Sequence, residues 1–147
     1  MRIFLDVNVP FDVLIKRKPW YKDSAAVLTL LESNEFKGFL AAQSVTTLFY
    51  LSAKKLGKAR ATAALVDLLN LVAVVPLDQS MILKAIALEW ADFEDALQAV
   101  SSVHSRGDYL VTRNTADFKA ASIPVVTPAE LLGIVHADPR PHRAESR

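Results

Sequence analysis

The 147-residue chain contains no cysteine. Disulfides and thiolate metal sites are therefore excluded, and any bound metal must be held by oxygen or imidazole. Imidazole contributes little, because His104, His136 and His142 stand at no metal-ligand spacing to one another. No apolar run reaches the length of a bilayer span. The opening Met1-Arg2-Ile3-Phe4-Leu5-Asp6 meets an acid too early for a secretory signal, which predicts a cytoplasmic protein. Internal repeats are also missing. What remains is a chain with 52% hydrophobic residues and mean hydropathy +0.24, enough to bury the core of one domain.

The formal net charge is only +1, yet it is unevenly distributed. Residues 1–60 carry ten Lys/Arg against five Asp/Glu, whereas residues 61–135 carry four against nine. An acidic focus facing a basic flank suits a metal-dependent enzyme acting on a polyanion. Segregation of this kind also arises in folded proteins without any such role.

Strand and helix patterns alternate along the chain. Residues 2–5 form a short apolar run that stops at Asp6, and Pro10 marks the entry to a short helix. The loop Lys16-Arg17-Lys18-Pro19-Trp20-Tyr21 mixes cations with aromatics. It suits either tracking a phosphate backbone and stacking a base or a solvated turn whose Trp tucks against the core. An amphipathic helix is predicted over residues 24–36, capped at Asp23 or Ser24 and ended by Gly38. A strand over 39–42 leads to helices over 44–57 and 58–70, and residues 71–75 are a buried strand stopped by Pro76. Asp78 or Ser80 caps a helix that precedes the stretch Asp92-Phe93-Glu94-Asp95-Ala96-Leu97-Gln98. A helix from there to about His104, a fourth strand over 108–111, a fifth over 123–126 and a capping box at Thr127-Pro128-Ala129-Glu130 complete the domain. Apolar periodicity is lost beyond Val135. The expectation is one domain over residues 1–134 with a disordered tail over 135–147.

Such alternation implies an α/β fold, a largely parallel sheet covered on both faces. Ligands in these sheets bind beyond the carboxyl ends of the strands, where strand order reverses. Asp6 ends the first strand and Asp117 lies a few residues beyond the fourth. If those strands are neighbours, both acids share a crevice with the helix start at Asp92–Asp95.

Three carboxylates in four residues require an offset, since two unit charges about 4 Å apart repel by roughly 4 kcal/mol at an effective dielectric of 20. Asp92 suits the N-cap position, accepting a bond from the backbone three residues on. Glu94 sits where a negative charge suits the helix dipole. Asp95, with Asp6 and Asp117 as company, would have its pKa raised unless a cation intervened. Oxygen-only ligation completed by water suits Mg²⁺ or Mn²⁺. Asn8, Thr112 and Asn114 stand at strand ends, where they can orient a carboxylate or satisfy a turn. Arg113 can meet a phosphate or pair with an acid. Lys54 and Lys55 suit the dipole at the end of their helix and are also candidates, with Lys16, Arg17, Lys18 and Arg113, for guiding a phosphate backbone.

Taken together, Leu5-Asp6-Val7-Asn8-Val9, Asp92-Phe93-Glu94-Asp95-Ala96-Leu97-Gln98, and Thr112-Arg113-Asn114 with Asp117-Phe118 resemble the PIN-domain family, particularly its VapC-like bacterial toxins. The order, spacing and strand-end positions of the motifs carry the resemblance, which spans residues 1 to about 134. It implies a three-layer α/β/α sandwich with a central, mostly parallel sheet. It also implies a Mg²⁺- or Mn²⁺-dependent endoribonuclease, the toxin of a type II toxin–antitoxin pair, with an antitoxin partner, an RNA substrate and a homodimeric state. By position, Asp6, Asp95 and Asp117 match the family's catalytic, metal-binding acids. One departure is plain. Active members carry a glutamate on the helix after strand two, and Thr47 stands at that position here. Two consequences are open: Glu94 supplies the lost charge, or the chain is a catalytically impaired PIN module that binds RNA or protein.

Overall fold

The computed structural model describes residues 1–138. Five strands, β1 (Arg2–Leu5), β2 (Lys37–Ala41), β3 (Val72–Val75), β4 (Tyr109–Val111) and β5 (Val125–Val126), form one sheet in the order β3-β2-β1-β4-β5. Every pairing is parallel. The connections run through α1 (Asn8–Leu14), α2 (Tyr21–Leu30), α3 (Ala42–Leu56), α4 (Lys58–Leu69), α5 (Gln79–Ala87) and α6 (Phe93–His104), and α7 (Pro128–Ala137) closes the described chain.

The β1 sequence explains why the sheet is buried on both sides. Ile3, Phe4 and Leu5 are all fully buried, and successive side chains on a strand point to opposite faces. Ile3 and Leu5 join Phe11, Val27, Leu48, Leu68 and Leu131 under α1–α4 and α7. Phe4 joins Met81, Ala99 and Phe118 on the side covered by α5 and α6. A strand with three consecutive buried apolar residues is stable only between two layers, and the three-layer α/β/α arrangement follows.

The chain builds outward from β1 to β2 and β3, then crosses back to place β4 on the other side of β1. Strand order therefore reverses between β1 and β4, whose register pairs Leu5 with Val111. The expected neighbouring of the first and fourth strands is what the structure has, and it sets Asp6 and Thr112 side by side.

Several boundaries differ from the sequence expectation. Helix α2 starts at Tyr21 with no side-chain cap and ends at Leu30, and β2 begins at Lys37, so Gly38 lies inside a strand instead of ending a helix. Packing accounts for the glycine: a Cβ there would lie 2.5 Å from Leu31 Cδ1 and 3.0 Å from Val72 Cγ1. Helix α1 starts at Asn8, with Pro10 in its first turn where the missing N–H costs nothing. The last helix reaches Ala137, three residues past the expected end of the domain at 134, so residues 135–137 are helix where a disordered tail was expected; residues 139–147 of that tail lie outside the described residues. Asp78 and Thr127 cap α5 and α7 as expected, the latter in a full capping box.

Candidate active site

Asp6 leaves β1 at the point where strand order reverses. Its carboxyl is 2% exposed. Thr112 Oγ1 donates to Asp6 Oδ2 at 2.8 Å, and Asn8 Nδ2 lies at a long 3.4 Å. The Thr112 hydroxyl in turn accepts from the backbone N–H of Asn114 at 3.1 Å. Two loop residues after β4 thus orient one oxygen of an acid on β1. The other oxygen, Oδ1, is buried without a hydrogen-bond partner. Burial pushes the Asp6 pKa up, and the neighbouring polar groups of Thr112, Gln98 and Asn8 oppose that rise.

The helix α6 supplies the opposing wall. Asp92 is its N-cap, Oδ1 accepting from the Asp95 backbone N–H at 3.0 Å. The bond offsets the crowding of the acids and aims the first turn of α6 at the sheet edge. Trp90 packs edge-on against Phe118, with ring centroids 6.1 Å apart, which ties the approach to α6 to the 3-10 turn Thr115–Phe118. Asp92, Asp95 and Asp117 consequently line one open cavity of about 340 Å³, with Lys119 at its rim. The Asp95 pKa rises from an ordinary 3.8 to about 7, through burial first and then the charges of Asp92, Asp6, Asp117 and Glu94. Asp95 is therefore the carboxyl on which the charges of Asp92, Asp6, Asp117 and Glu94 act together, although Asp6 itself does not line the cavity.

Glu94 turns toward α3, where Thr47 Oγ1 donates to its Oε1 at 3.2 Å. The position lacking an acid and the acid beside Asp95 are in direct contact. Among the described residues, no three His, Asp or Glu side chains are gathered closely enough to enclose an ion unaided.

Gln98 carries more of the site than its sequence suggested. It is 1% exposed, and its Oε1 accepts from the backbone N–H of Val7 at 3.0 Å. Its Nε2 points at Asp95 Oδ1, and Ser44 Oγ at its Oε1, both at 3.5 Å. One side chain thereby links the end of β1, the start of α3 and Asp95. The available signal was its spacing, three residues after Asp95 on the same helical face. Lys119 was missed as well, and nothing but the folding of the 3-10 turn reveals it.

The predicted RNA-guiding cations divide. Arg113 Nη1 donates to both oxygens of Asp12 at 3.1 Å, and Asp12 is buried at the end of β1's following helix. Burial raises the Asp12 pKa, and the Arg113 and Arg17 charges oppose this. Arg17 stands 3.9 Å from Asp12, while Lys16 and Lys18 are exposed beside it. Lys54 and Lys55 are carried away from the cleft by the 15 residues of α3, roughly 22 Å at 1.5 Å per residue. Lys54 Nζ instead sits over the Tyr50 ring at 4.3 Å.

A model of the PIN domain matches residues 2–116. The chain belongs to the PIN domain family. Similar PIN proteins include Ribonuclease VapC1 of Aquifex aeolicus, 28% identical over 134 residues, 88% of this chain and 92% of that protein. Among solved structures, VapBC2 from Rickettsia felis, bound to a DNA fragment from their promoter, superposes with TM-score 0.69. It is 18% identical and covers 86% of this chain and 98% of its own. Mycobacterium tuberculosis VapC20, a sarcin-ricin loop cleaving toxin, superposes with TM-score 0.66 at 14% identity, covering 82% and 95%. At these identities the superpositions establish a shared fold. The PIN fold and its three-layer sandwich agree with the expectation from the motifs.

Proposed function

We propose that this PIN protein is a divalent-metal-dependent endoribonuclease and the toxin of a toxin–antitoxin pair. One arrangement supports the proposal: the buried Asp6, whose Oδ1 has no hydrogen-bond partner, lies near enough to Asp95 for its charge to act on that carboxyl, as the charge of Asp117 does. The name of the Aquifex relative, a ribonuclease, and that of VapC20, a toxin that cleaves the sarcin-ricin loop, support it.

The donor set fits Mg²⁺ or Mn²⁺. Every candidate donor is a carboxylate oxygen, and one is already buried and unsatisfied. Mg²⁺ is commonly held by one or two carboxylates with water completing its shell, so the absence of a ready-made three-residue cage is compatible with it. One or two of Asp6, Asp95 and Asp117 would hold the ion directly, with water completing its shell. When bound, such an ion supplies charge stabilisation at a phosphodiester and a more acidic water. The chain's own residues do the rest. Thr112 and Asn8 orient Asp6. Gln98 holds Asp95 against the end of β1. Asp92 fixes the helix start, and Lys119 places a cation where a phosphate would enter. Glu94 takes over the charge that Thr47 lacks, held in place by the Thr47 hydroxyl.

RNA, an antitoxin protein and a second copy of the chain are the partners in this account. Expression of the wild type alone should arrest growth of a bacterial host, and Asp6→Asn should relieve the arrest. Arrest that persists with Asp6→Asn would favour the second function considered from the sequence, a binding module without chemistry.

A further inference from the structure

Beside the acid cleft lies a second hollow that the proposed chemistry does not use. It measures about 240 Å³ and is lined by Pro19, Trp20, Asp23, Arg113, Thr127 and Pro128, with Ala129 at its edge. We propose that it is a nucleobase-stacking subsite for the RNA strand, a proposal that rests on the chain acting on RNA.

The hollow is built as a platform. Arg113 lies over the Trp20 ring, 4.3 Å from guanidinium carbon to centroid. Its Nη1 is pinned by both oxygens of buried Asp12. A planar cation held along one edge and laid on an indole forms a rigid, two-layer stack. Trp20 nonetheless remains 40% exposed, so part of the indole is open to a ligand.

The charges separate a base from a phosphate. Asp12 neutralises Arg113, and Asp23 adds an acid to the wall, so the hollow is poorly suited to a phosphate. A base presents a π-face to Trp20 and amine donors to Asp23 and Thr127. The exposed Lys16 and Lys18, next along the chain, can track the backbone. The location fits too. Thr112, which orients Asp6, immediately precedes Arg113, so the two hollows flank the same end of β4. A strand crossing the sheet edge with its phosphate at the acids meets Trp20 with a neighbouring base.

The test compares two probes in EDTA: a fluorescently labelled 12-nucleotide single-stranded RNA of mixed sequence, and the same backbone made abasic. Kd is read by anisotropy for the full chain, Trp20→Ala and Trp20→Phe, with folding checked by thermal melting. Loss of one base stack predicts about 5- to 100-fold weaker binding of the base-bearing RNA by Trp20→Ala. The abasic probe should be unaffected, and Trp20→Phe should recover most of the loss. Equal Kd for wild type and Trp20→Ala on the base-bearing RNA overturns the subsite alone, as does an equal loss on the abasic probe. Wild type that binds neither probe in EDTA and cleaves no RNA in Mn²⁺ overturns the RNA function, and the subsite with it. A Trp20→Ala chain that keeps its RNA affinity but loses a co-expressed protein partner marks the hollow as a protein surface and also overturns the proposal.

Discussion

Replacing Asp95 with Asn should stabilise the metal-free protein, and only in a defined pH range. A carboxyl held at about 7 instead of 3.8 represents roughly 4 kcal/mol at 1.36 kcal/mol per pH unit. The side chain is half-buried, and solvent screening reduces that to about 1–2 kcal/mol. The ionised form at the first turn of α6 also gains about 0.3–1 kcal/mol from the helix dipole, which Asn forgoes. The net advantage of Asp95→Asn is therefore about 1 kcal/mol, or roughly 2–4 °C in Tm for a chain of this size. Its sign and window follow from proton counting. Between pH 4 and pH 7 the folded wild type binds more protons than the unfolded chain, so its stability falls as pH rises through that interval. The raised pKa of Asp6 acts in the same direction. In EDTA, the melting-temperature gap between Asp95→Asn and wild type should open from pH 4 to pH 7 and stay constant above. With Mn²⁺ at a hundred times its Kd, wild type gains about 2.7 kcal/mol, which the variant should not, and the order of stability inverts. A gap of zero at pH 8 in EDTA, or one that does not change with pH, would refute the reasoning.

Three further outcomes are expected. Glu94→Gln, with Asp95 intact, should slow metal-dependent cleavage by about 10- to 100-fold, the range for groups that support a metal site; an undiminished rate would show that Glu94 does not replace the acid missing at Thr47. Asp12→Asn leaves Arg113 without its counter-charge and should cost roughly 3 kcal/mol in urea unfolding, much of it recovered when Arg113→Met is added; a single-variant loss below about 0.5 kcal/mol, the usual surface effect, would contradict the pairing. Asp92→Ala should be about 1 kcal/mol less stable than Asp92→Asn, since Asn retains the cap and Ala does not; equal unfolding midpoints would mean that the cap bond contributes nothing.

Much of this site could be read without coordinates because each legible feature has a local cause. A strand with three consecutive apolar residues must lie between two layers, and an acid at its end must emerge at the sheet edge, which located Asp6. Asp92 was readable as a cap because capping is decided within four residues. The placement of Asp6 beside the loop that follows β4 needed only one topological condition, that β1 and β4 be neighbours, and they are. What escaped depends on distances between remote segments. Gln98 resembles any polar helix residue until β1 brings the Val7 N–H to it. Arg113 had two plausible partners, and the choice of Asp12 is made by the packing of α1 against the β4 end. Lys54 and Lys55 have the charge for RNA, but the length of α3 takes them to the wrong end of the sheet. Gly38 punctuates like a helix stop, while its actual constraint is the Leu31 side chain packed against its Cα.

The central claim is that Asp6, Asp95 and Asp117 form one metal-dependent site that cuts RNA. Its most direct test is incubation of a mixed RNA pool with the full chain in Mn²⁺, with and without EDTA, beside Asp95→Asn. Wild type should give discrete cleavage products in Mn²⁺, and none should form with EDTA or with the variant. Cleavage that persists in EDTA, or that Asp95→Asn performs at the wild-type rate, would contradict it.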